Sequence, residues 1–366
     1  MSQTTLKKPA TLPRLSAQVF SKIFPSTASL KKSLPRAGRN LGITLVSMLL
    51  FLGIWQVSAS YLYNVEAESR ISRVMEEQGT EAAAKMRDCI ASGDISCKPN
   101  TLPSPNEVVK AAQVLLADHR TISADKQAFI EKTAAVNAQR KAAGQDLITY
   151  TGRPSFVDQI LTSLKTVAVG FLIALLIAIP IGIIIGLNEN LRTAFNWLIQ
   201  VFKPVSPVVW LLLVFMIVKT MTLGSDSDTS FLISAISVGL CSMWATLVNT
   251  SVGVSSVNKD YLNVAKVLKL GIGKKIFKVI LPSAIPLIFT GLRITVSVAW
   301  MVLIAIELLA QSPGLGSFVW EEFQNGANDS NAKIIVAMFV IGFVGFLLDR
   351  IMYYVQQSVS FEKALA

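Results

Sequence analysis

Residues 167–187 read VAVGFLIALLIAIPIGIIIGL, an unbroken apolar run without a charged side chain. A helix needs about 20 apolar residues to cross the hydrocarbon core of a bilayer, so this run predicts a membrane span. The rest of the 366-residue chain agrees, because 52% of its residues are hydrophobic, 16% are charged and the mean hydropathy is +0.53. Soluble domains carry about 25% charged residues. We therefore expect an integral membrane protein.

Five further segments are apolar over a comparable length, so the sequence predicts six transmembrane helices. They are residues 41–63, 208–221 with a lead-in at 197–202, 231–248, 285–310 and 334–355. Pro204 and Pro207 precede and begin the third of the six spans and are expected to kink it, because proline removes a backbone donor. The first run is longer than the apolar core of a signal peptide and lacks a small-residue cleavage site, so we expect an anchor.

The distribution of charge predicts which side of the membrane each loop faces. Residues 251–281 contain six lysines against one acid, whereas 222–230 and 311–332 contain five acids and no Lys or Arg. Cytoplasmic loops are rich in Lys and Arg, so we expect the lysine-rich loop and both termini to be cytoplasmic. Most of the net charge of +11 comes from residues 1–40, a basic tail without an acid. Such a flank indicates a bilayer rather than nucleic acid as the partner.

About 100 residues, 64–163, separate the first two predicted spans and are expected to form a periplasmic insert. Its 12 basic and 13 acidic residues nearly cancel. Ser104-Pro105-Asn106-Glu107 has the composition of a helix start, and a second helix is expected from Ser123 to Ala143, closed by Gly144. We expect a small helical cap or loosely packed helices.

Few side chains could carry covalent or metal chemistry. One histidine, His119, and three cysteines are too few soft ligands for a zinc or iron–sulfur site, and no Gly-rich phosphate loop occurs. We expect no catalytic residue, metal or cofactor, so the chain is not expected to be an enzyme. Cys89 and Cys97 would be external, where a disulfide and two unpaired thiols are equally open alternatives. Cys241 lies in a span and is expected to pack there.

A basic loop carries the most informative motif. It reads Asp260-Tyr261-Leu262-Asn263-Val264-Ala265-Lys266-Val267-Leu268-Lys269-Leu270-Gly271, and Ile280-Leu281-Pro282 follows. Apolar residues at helical spacing among lysines predict a short amphipathic helix lying parallel to the membrane. One alternative is a basic helix that rests on anionic lipid. The other is a helix that docks in a groove of a partner protein.

This loop resembles the coupling-helix loop of binding-protein-dependent ABC importer permeases, in which Glu-Ala-Ala, a glycine and Leu-Pro recur. Counted back from Leu281-Pro282, Asn263, Val264 and Ala265 fall on Glu-Ala-Ala and Lys269 falls on the glycine, so two hallmark residues are replaced. Four segments are similar to the nitrate, sulfonate, taurine and bicarbonate branch, namely Asp260-Tyr261 to Lys269, Pro204-Val205-Ser206-Pro207, Phe289-Thr290-Gly291-Leu292-Arg293 and Glu307-Leu308-Leu309. Within that branch, three segments are most similar to nitrate permeases, namely Pro313-Gly314-Leu315-Gly316, Phe318-Val319-Trp320 and Gly345-Phe346-Leu347-Leu348-Asp349-Arg350.

The resemblance implies an all-α membrane protein with six transmembrane helices of the type I ABC importer kind and a helical extracytoplasmic insert between helices 1 and 2. The permease core would be residues 164–357, with the coupling helix near 259–278 and a cytoplasmic tail at 358–366. The implied location is the bacterial inner membrane, crossed several times. The implied partners are cytoplasmic ABC ATPase subunits, a periplasmic solute-binding protein and a second permease copy. Contact with the ATPase is expected from Asp260, Tyr261, Asn263, Val264, Ala265, Leu268, Lys269 and Gly271.

The implied function is import of a small inorganic anion, nitrate first, or nitrite or cyanate. Alternatives are bicarbonate, taurine or an alkanesulfonate, and in another class a membrane sensor or assembly factor. Charge within a span is costly and points to function, so Arg293 and Glu307 are candidates for the translocation pathway, with Trp210 beside the proline kink. Against this, Arg293 could reach the membrane surface, Glu307 could anchor a loop, and Trp210 could simply pack.

Overall fold

The computed structural model describes residues 36–94, 96–222, 229–327 and 329–359. Most of the basic tail and the last seven residues therefore lie outside the described residues. The described chain is helical and contains no strand. Its helices are α1 (Arg36–Gln78), α2 (Thr80–Ser92), α3 (Pro105–Ala142), α4 (Phe156–Leu187), α5 (Glu189–Phe202), α6 (Pro207–Met221), α7 (Ser230–Ser255), α8 (Lys259–Val267), α9 (Ile272–Lys275), α10 (Leu281–Ala310), α11 (Leu315–Asn325) and α12 (Ser330–Val359), with a π-helical turn at Ile276–Ile280 before α10.

Five described helices are long and apolar enough to cross a membrane, namely α1, α4, α7, α10 and α12. The pair α5 and α6 makes a sixth span if the two are counted together, and they are bent by 100° at the break between them. Pro204 lies in this break and Pro207 begins α6, where a proline is tolerated because the first N–H of a helix has no partner within it. The structure therefore has five or six candidate spans, and it reaches the six predicted ones when the bent pair counts as one.

Helix α7 lies at the centre of the packed core, against α4 on one side and α10 on the other. The approach to α4 depends on glycine: a Cβ at Gly170 would lie 2.9 Å from the Ala235 carbonyl oxygen. Hydroxyl groups connect α7 to α10, because the Oγ1 atoms of Thr246 and Thr295 form a hydrogen bond of 2.7 Å. Small residues and buried hydroxyls are the usual contacts between helices in a membrane.

The insert is helical, as predicted, and begins α3 with the expected cap. The Ser104 Oγ accepts from the Glu107 N–H, and the Glu107 side chain accepts from the Ser104 N–H at 2.7 Å. The two helices expected on either side of residue 120 are instead one helix of 38 residues. Nothing between Asp118 and Ser123 is a Gly or Pro that would stop it. Its buried residues, Val108, Ala111 and Leu115, all lie in its first third.

Candidate functional site

The basic loop contains a shorter helix than expected. Helix α8 begins after Asn258, whose side chain accepts from the Asp260 N–H, and it ends at Val267. Tyr261 and Asn263 are therefore helical, whereas Leu268, Lys269 and Gly271 lie beyond the end, so the coupling helix expected near 259–278 is interrupted between Val267 and Ile272. The reason is the backbone of Lys269, which turns left-handed at φ 48°.

The orientation of α8 corrects the role expected for one of its residues. Ala265 is only 2% exposed, and its side chain packs inside this chain rather than facing outward to a partner. Val267, Ile272 and Phe277, which sequence reasoning did not single out, are among the exposed apolar residues of the loop. We call the exposed apolar residues of this loop the coupling surface; they are Tyr261, Val264, Val267, Leu268, Ile272 and Phe277. Five lysines of the same loop are exposed, namely Lys259, Lys266, Lys269, Lys274 and Lys278, and Lys275 is half-buried.

Lys269, which falls on the glycine position of the motif that this loop resembles, has a left-handed backbone. A left-handed backbone costs an ordinary L-residue about 1 kcal/mol or more, whereas glycine adopts it without penalty. The turn is held by hydrogen bonds from the Lys269 N–H to the Lys266 carbonyl and from the Leu270 N–H to the Ala265 carbonyl. Lys269 therefore adopts a backbone conformation that glycine favours.

Glu307 lies at the end of α10 and ties three elements together. It is 1% exposed and its two carboxylate oxygens accept from the Ser163 hydroxyl of α4 at 2.8 and 2.9 Å. The Gly316 N–H donates to it at 2.9 Å, and the Ser163 Oγ accepts from the Leu315 N–H at 2.9 Å. A carboxylate beside the first N–H groups of α11 is favoured by the helix dipole. Glu307 is thus buried inside the chain as an anchor and does not line an open pathway in this conformation.

The loop before α11 is shaped around that carboxylate. A Cβ at Gly314 would overlap the Glu307 carboxylate, and a Cβ at Gly316 would overlap the Ile304 carbonyl. Gly314 also has φ 158°, in the region that favours glycine. The motif Pro313-Gly314-Leu315-Gly316 therefore provides the space and the donors that a buried carboxylate needs.

Arg293 is paired, which the sequence did not reveal. Its Nε and Nη2 atoms donate to the two oxygens of Asp349 on α12, at 2.6 and 2.8 Å. The ring of Tyr353 lies 5.3 Å from the guanidinium carbon. Arg293 therefore does not extend to the membrane surface as an isolated charge. Both partners lie in motifs that the sequence had marked, 289–293 and 345–350, but nothing in either motif shows that they meet.

Trp210 lies just after the break between α5 and α6, in an aromatic cluster. Its ring centre is 5.9 Å from that of Phe202 and 6.3 Å from that of Trp244 on α7. Within the described part of the chain, the indole N–H groups of Trp210 and Trp244 are buried without a hydrogen-bond partner. This arrangement agrees with the packing alternative for Trp210.

Cys89 and Cys97 are adjacent in space. Cys89 near the end of α2 and Cys97 in the following loop have Cα atoms 5.9 Å apart and form a disulfide in this structure. Gly93 allows the chain to turn between them, with φ 74°. Chemical labelling is the experiment that tests this bridge.

The described features define a class, an all-helical protein that crosses a membrane several times and carries a short amphipathic helix on a basic loop between two spans. Residues 178–361 match the family described as binding-protein-dependent transport system inner membrane component. The chain is 36% identical over 202 residues to a nitrate import permease of Synechococcus elongatus, which covers 55% of this chain and 69% of that protein. It is 36% identical over 203 residues to a bicarbonate transport system permease of Synechocystis sp., covering 55% and 68%.

Among solved structures, a chain of the inward-facing MetNI methionine ABC transporter matches at 13% identity with a TM-score of 0.49, covering 56% of this chain and 95% of that chain. The sequence matches establish the family. The chain belongs to the inner membrane components of binding-protein-dependent transport systems, and it is a multi-pass ABC importer permease. At the level of this family it is a transport subunit and not an enzyme.

Proposed function

We propose that this chain is the membrane subunit of an ABC importer for a small inorganic anion, with nitrate as the first candidate. The observation that carries the proposal is the 36% identity to a nitrate import permease over 69% of that protein. Bicarbonate is the second candidate, because a bicarbonate permease matches at the same identity. Both anions carry one delocalised negative charge on planar oxygens. Membership of the family argues against a sensor or assembly factor.

The coupling surface would bind a cytoplasmic ATPase subunit. Its exposed apolar residues suit a groove in a partner protein, and the exposed lysines of the same loop suit an acidic rim. Because α8 is joined through α9 and the π-helical turn to α10, movement of the surface would move the α10 span directly. Two copies of the permease would then alternate between outward and inward states. ATP binding and hydrolysis in the partner would drive this cycle.

The remaining parts of the proposal follow the predicted topology. The basic loop and both termini would be cytoplasmic, and the insert at residues 64–163 would be periplasmic, on the side from which a solute-binding protein delivers the anion. The pathway would run between two copies of the chain, with Arg293 close to it.

Uptake by the assembled transporter in vesicles tests the proposal. The permease, its ATPase and its binding protein are reconstituted together, and ATP-dependent accumulation of labelled nitrate and labelled bicarbonate is measured, with taurine as a third substrate. We expect nitrate or bicarbonate to accumulate and taurine to be excluded. Accumulation of taurine alone would contradict the anion proposal, and copurification without any ATPase subunit would contradict the importer proposal.

A further inference from the structure

The Arg293–Asp349 pair opens onto a cavity beside α10 and α12. Arg293 lies about 18 Å from the start of α10 and Asp349 about 15 Å from the end of α12, at 1.5 Å per residue. Their side chains remain 36% and 28% exposed. The open cavity beside them has a volume of about 430 Å³ and is lined by the apolar Ile294, Val298 and Met301 as well as by the polar Thr290, Ser297 and Gln356. Hydrocarbon does not solvate the charged pair and these polar side chains, so this face borders water or protein.

The geometry of the pair defines the chemistry of a ligand. The Nε and Nη2 atoms of Arg293 each donate a hydrogen bond to a different carboxylate oxygen of Asp349, so the contact is planar and bidentate. A guanidinium selects carboxylates in this way because its N–H groups form a rigid planar fork. Nitrate and bicarbonate present two oxygens at one planar edge, as a carboxylate does. The Asp349 carboxylate thus lies where such an anion would bind.

We propose that Arg293 is an anion-binding residue of this cavity and that Asp349 is a tethered substitute ligand, which a small planar oxyanion displaces. This inference rests on the proposed function, and it identifies the residue that would bind the transported anion. With the site empty, Asp349 neutralises the arginine and spares the protein an unpaired charge in the membrane. The apparent affinity of Arg293 for the transported anion is lower than its intrinsic affinity, because Asp349 already occupies the guanidinium in most molecules. Weak binding of this kind favours release of a transported ion.

Titration of the full-length permease in lipid nanodiscs tests the inference. Sodium nitrate, sodium formate and sodium chloride are titrated calorimetrically at constant ionic strength into wild type and Asp349→Asn. We expect Asp349→Asn to bind nitrate and formate about tenfold more tightly, equivalent to about 1.4 kcal/mol, and chloride unchanged, because chloride has no planar edge. The double variant Arg293→Gln with Asp349→Asn should lose the gain. Asp329→Asn is the matched control, since it neutralises another ion-paired carboxylate, 3.0 Å from Lys333, and should leave all three titrations unchanged.

Two outcomes would overturn the inference: unchanged nitrate binding in Asp349→Asn, or an equal gain for chloride, which would show a general effect of charge. If Asp349→Asn does not assemble, the inference is tested on the wild type by infrared difference spectroscopy. Labelling with ¹³C-aspartate identifies the aspartate carboxylate bands. Added nitrate should shift an aspartate carboxylate band, and the absence of a shift at saturating nitrate would refute displacement. A wild type that imports neither nitrate nor bicarbonate refutes the proposed function. If the wild type imports nitrate or bicarbonate but the anion does not displace Asp349, only this inference is refuted.

Discussion

The hydroxyl of Ser163 lies within hydrogen-bonding distance of both carboxylate oxygens of Glu307, although the two residues are 144 positions apart. The same hydroxyl oxygen accepts from the Leu315 N–H. One serine therefore joins α4, the end of α10 and the start of α11, and the buried carboxylate is solvated by the protein instead of by water. Mutation of either residue leaves buried partners unsatisfied.

Ser163→Ala is expected to lower the stability of the folded permease by about 1–3 kcal/mol, because the Glu307 carboxylate and the Leu315 N–H lose their shared partner. The measurement is thermal unfolding in detergent followed by helical circular dichroism. Ser255→Ala is the control, since its hydroxyl is exposed and bonds only to Val252 of its own helix. Equal melting temperatures for the two variants would show that the Ser163 contact is unimportant.

Val264→Asp is expected to abolish copurification of the ATPase while the permease still inserts and folds. Val264 is 56% exposed on the coupling surface, so a carboxylate there is tolerated in the free subunit but would be buried unpaired on docking. Val109→Asp is the matched control, because Val109 is also 56% exposed but lies on α3 of the insert. Ala265→Asp should instead impair folding, since Ala265 is buried within the chain. Normal ATPase recovery with Val264→Asp would place the docking surface elsewhere.

Lys269→Gly is expected to stabilise the loop by about 1 kcal/mol, because glycine adopts the left-handed backbone of Lys269 without strain. The readout is the melting temperature of the purified permease together with ATP-dependent uptake. Lys266→Gly serves as the comparison: it removes a lysine from the same loop inside α8, where glycine costs about 1 kcal/mol. If Lys269→Gly lowers the melting temperature, the lysine side chain makes a stabilising contact that outweighs the backbone strain.

Cys89 and Cys97 are expected to resist labelling until the protein is reduced. A maleimide mass tag on intact cells would add no label to either cysteine before reductant and two labels after it. Cys89→Ser frees Cys97 and should give one label without reductant, which controls for access of the reagent. Labelling of both wild-type cysteines in the absence of reductant would show that the thiols are unpaired.

Acid is expected to weaken the contact between the insert loop and α3. Burial tends to raise the pKa of Glu107, but hydrogen bonds from Lys98 and Ser104 and the charge of Lys98 outweigh it and lower that pKa below its usual 4.5. The ionised carboxylate therefore contributes stability above the unfolded-state pKa, and this contribution is lost as the pH falls through the lower folded-state value. In the wild type the melting temperature should therefore fall as the pH is lowered from 6 to 3, and Glu107→Gln should make this fall smaller. If the melting temperature of the variant falls by the same amount, another group is responsible for the acid sensitivity.

The sequence by itself determined the properties that depend on neighbouring residues. Hydropathy over about 20 residues located the spans, Pro204 and Pro207 located the break between α5 and α6, and Ser104 with Glu107 located the start of α3. Each is a local property, fixed by side-chain transfer to lipid, by a missing N–H or by a cap three residues away. The short motifs of the basic loop and of the spans likewise indicated the family.

Only the tertiary structure decided which groups meet and which way each helix faces. Arg293 and Asp349 are 56 positions apart, and their contact depends on the rotation of α10 against α12, which no local pattern records. Ala265 and Val264 are neighbours with the same apolar character, yet one is buried and the other is exposed, because consecutive residues of a helix point about 100° apart. Packing of the surrounding helices sets that rotation, and with it the division between the buried and the outward face of α8.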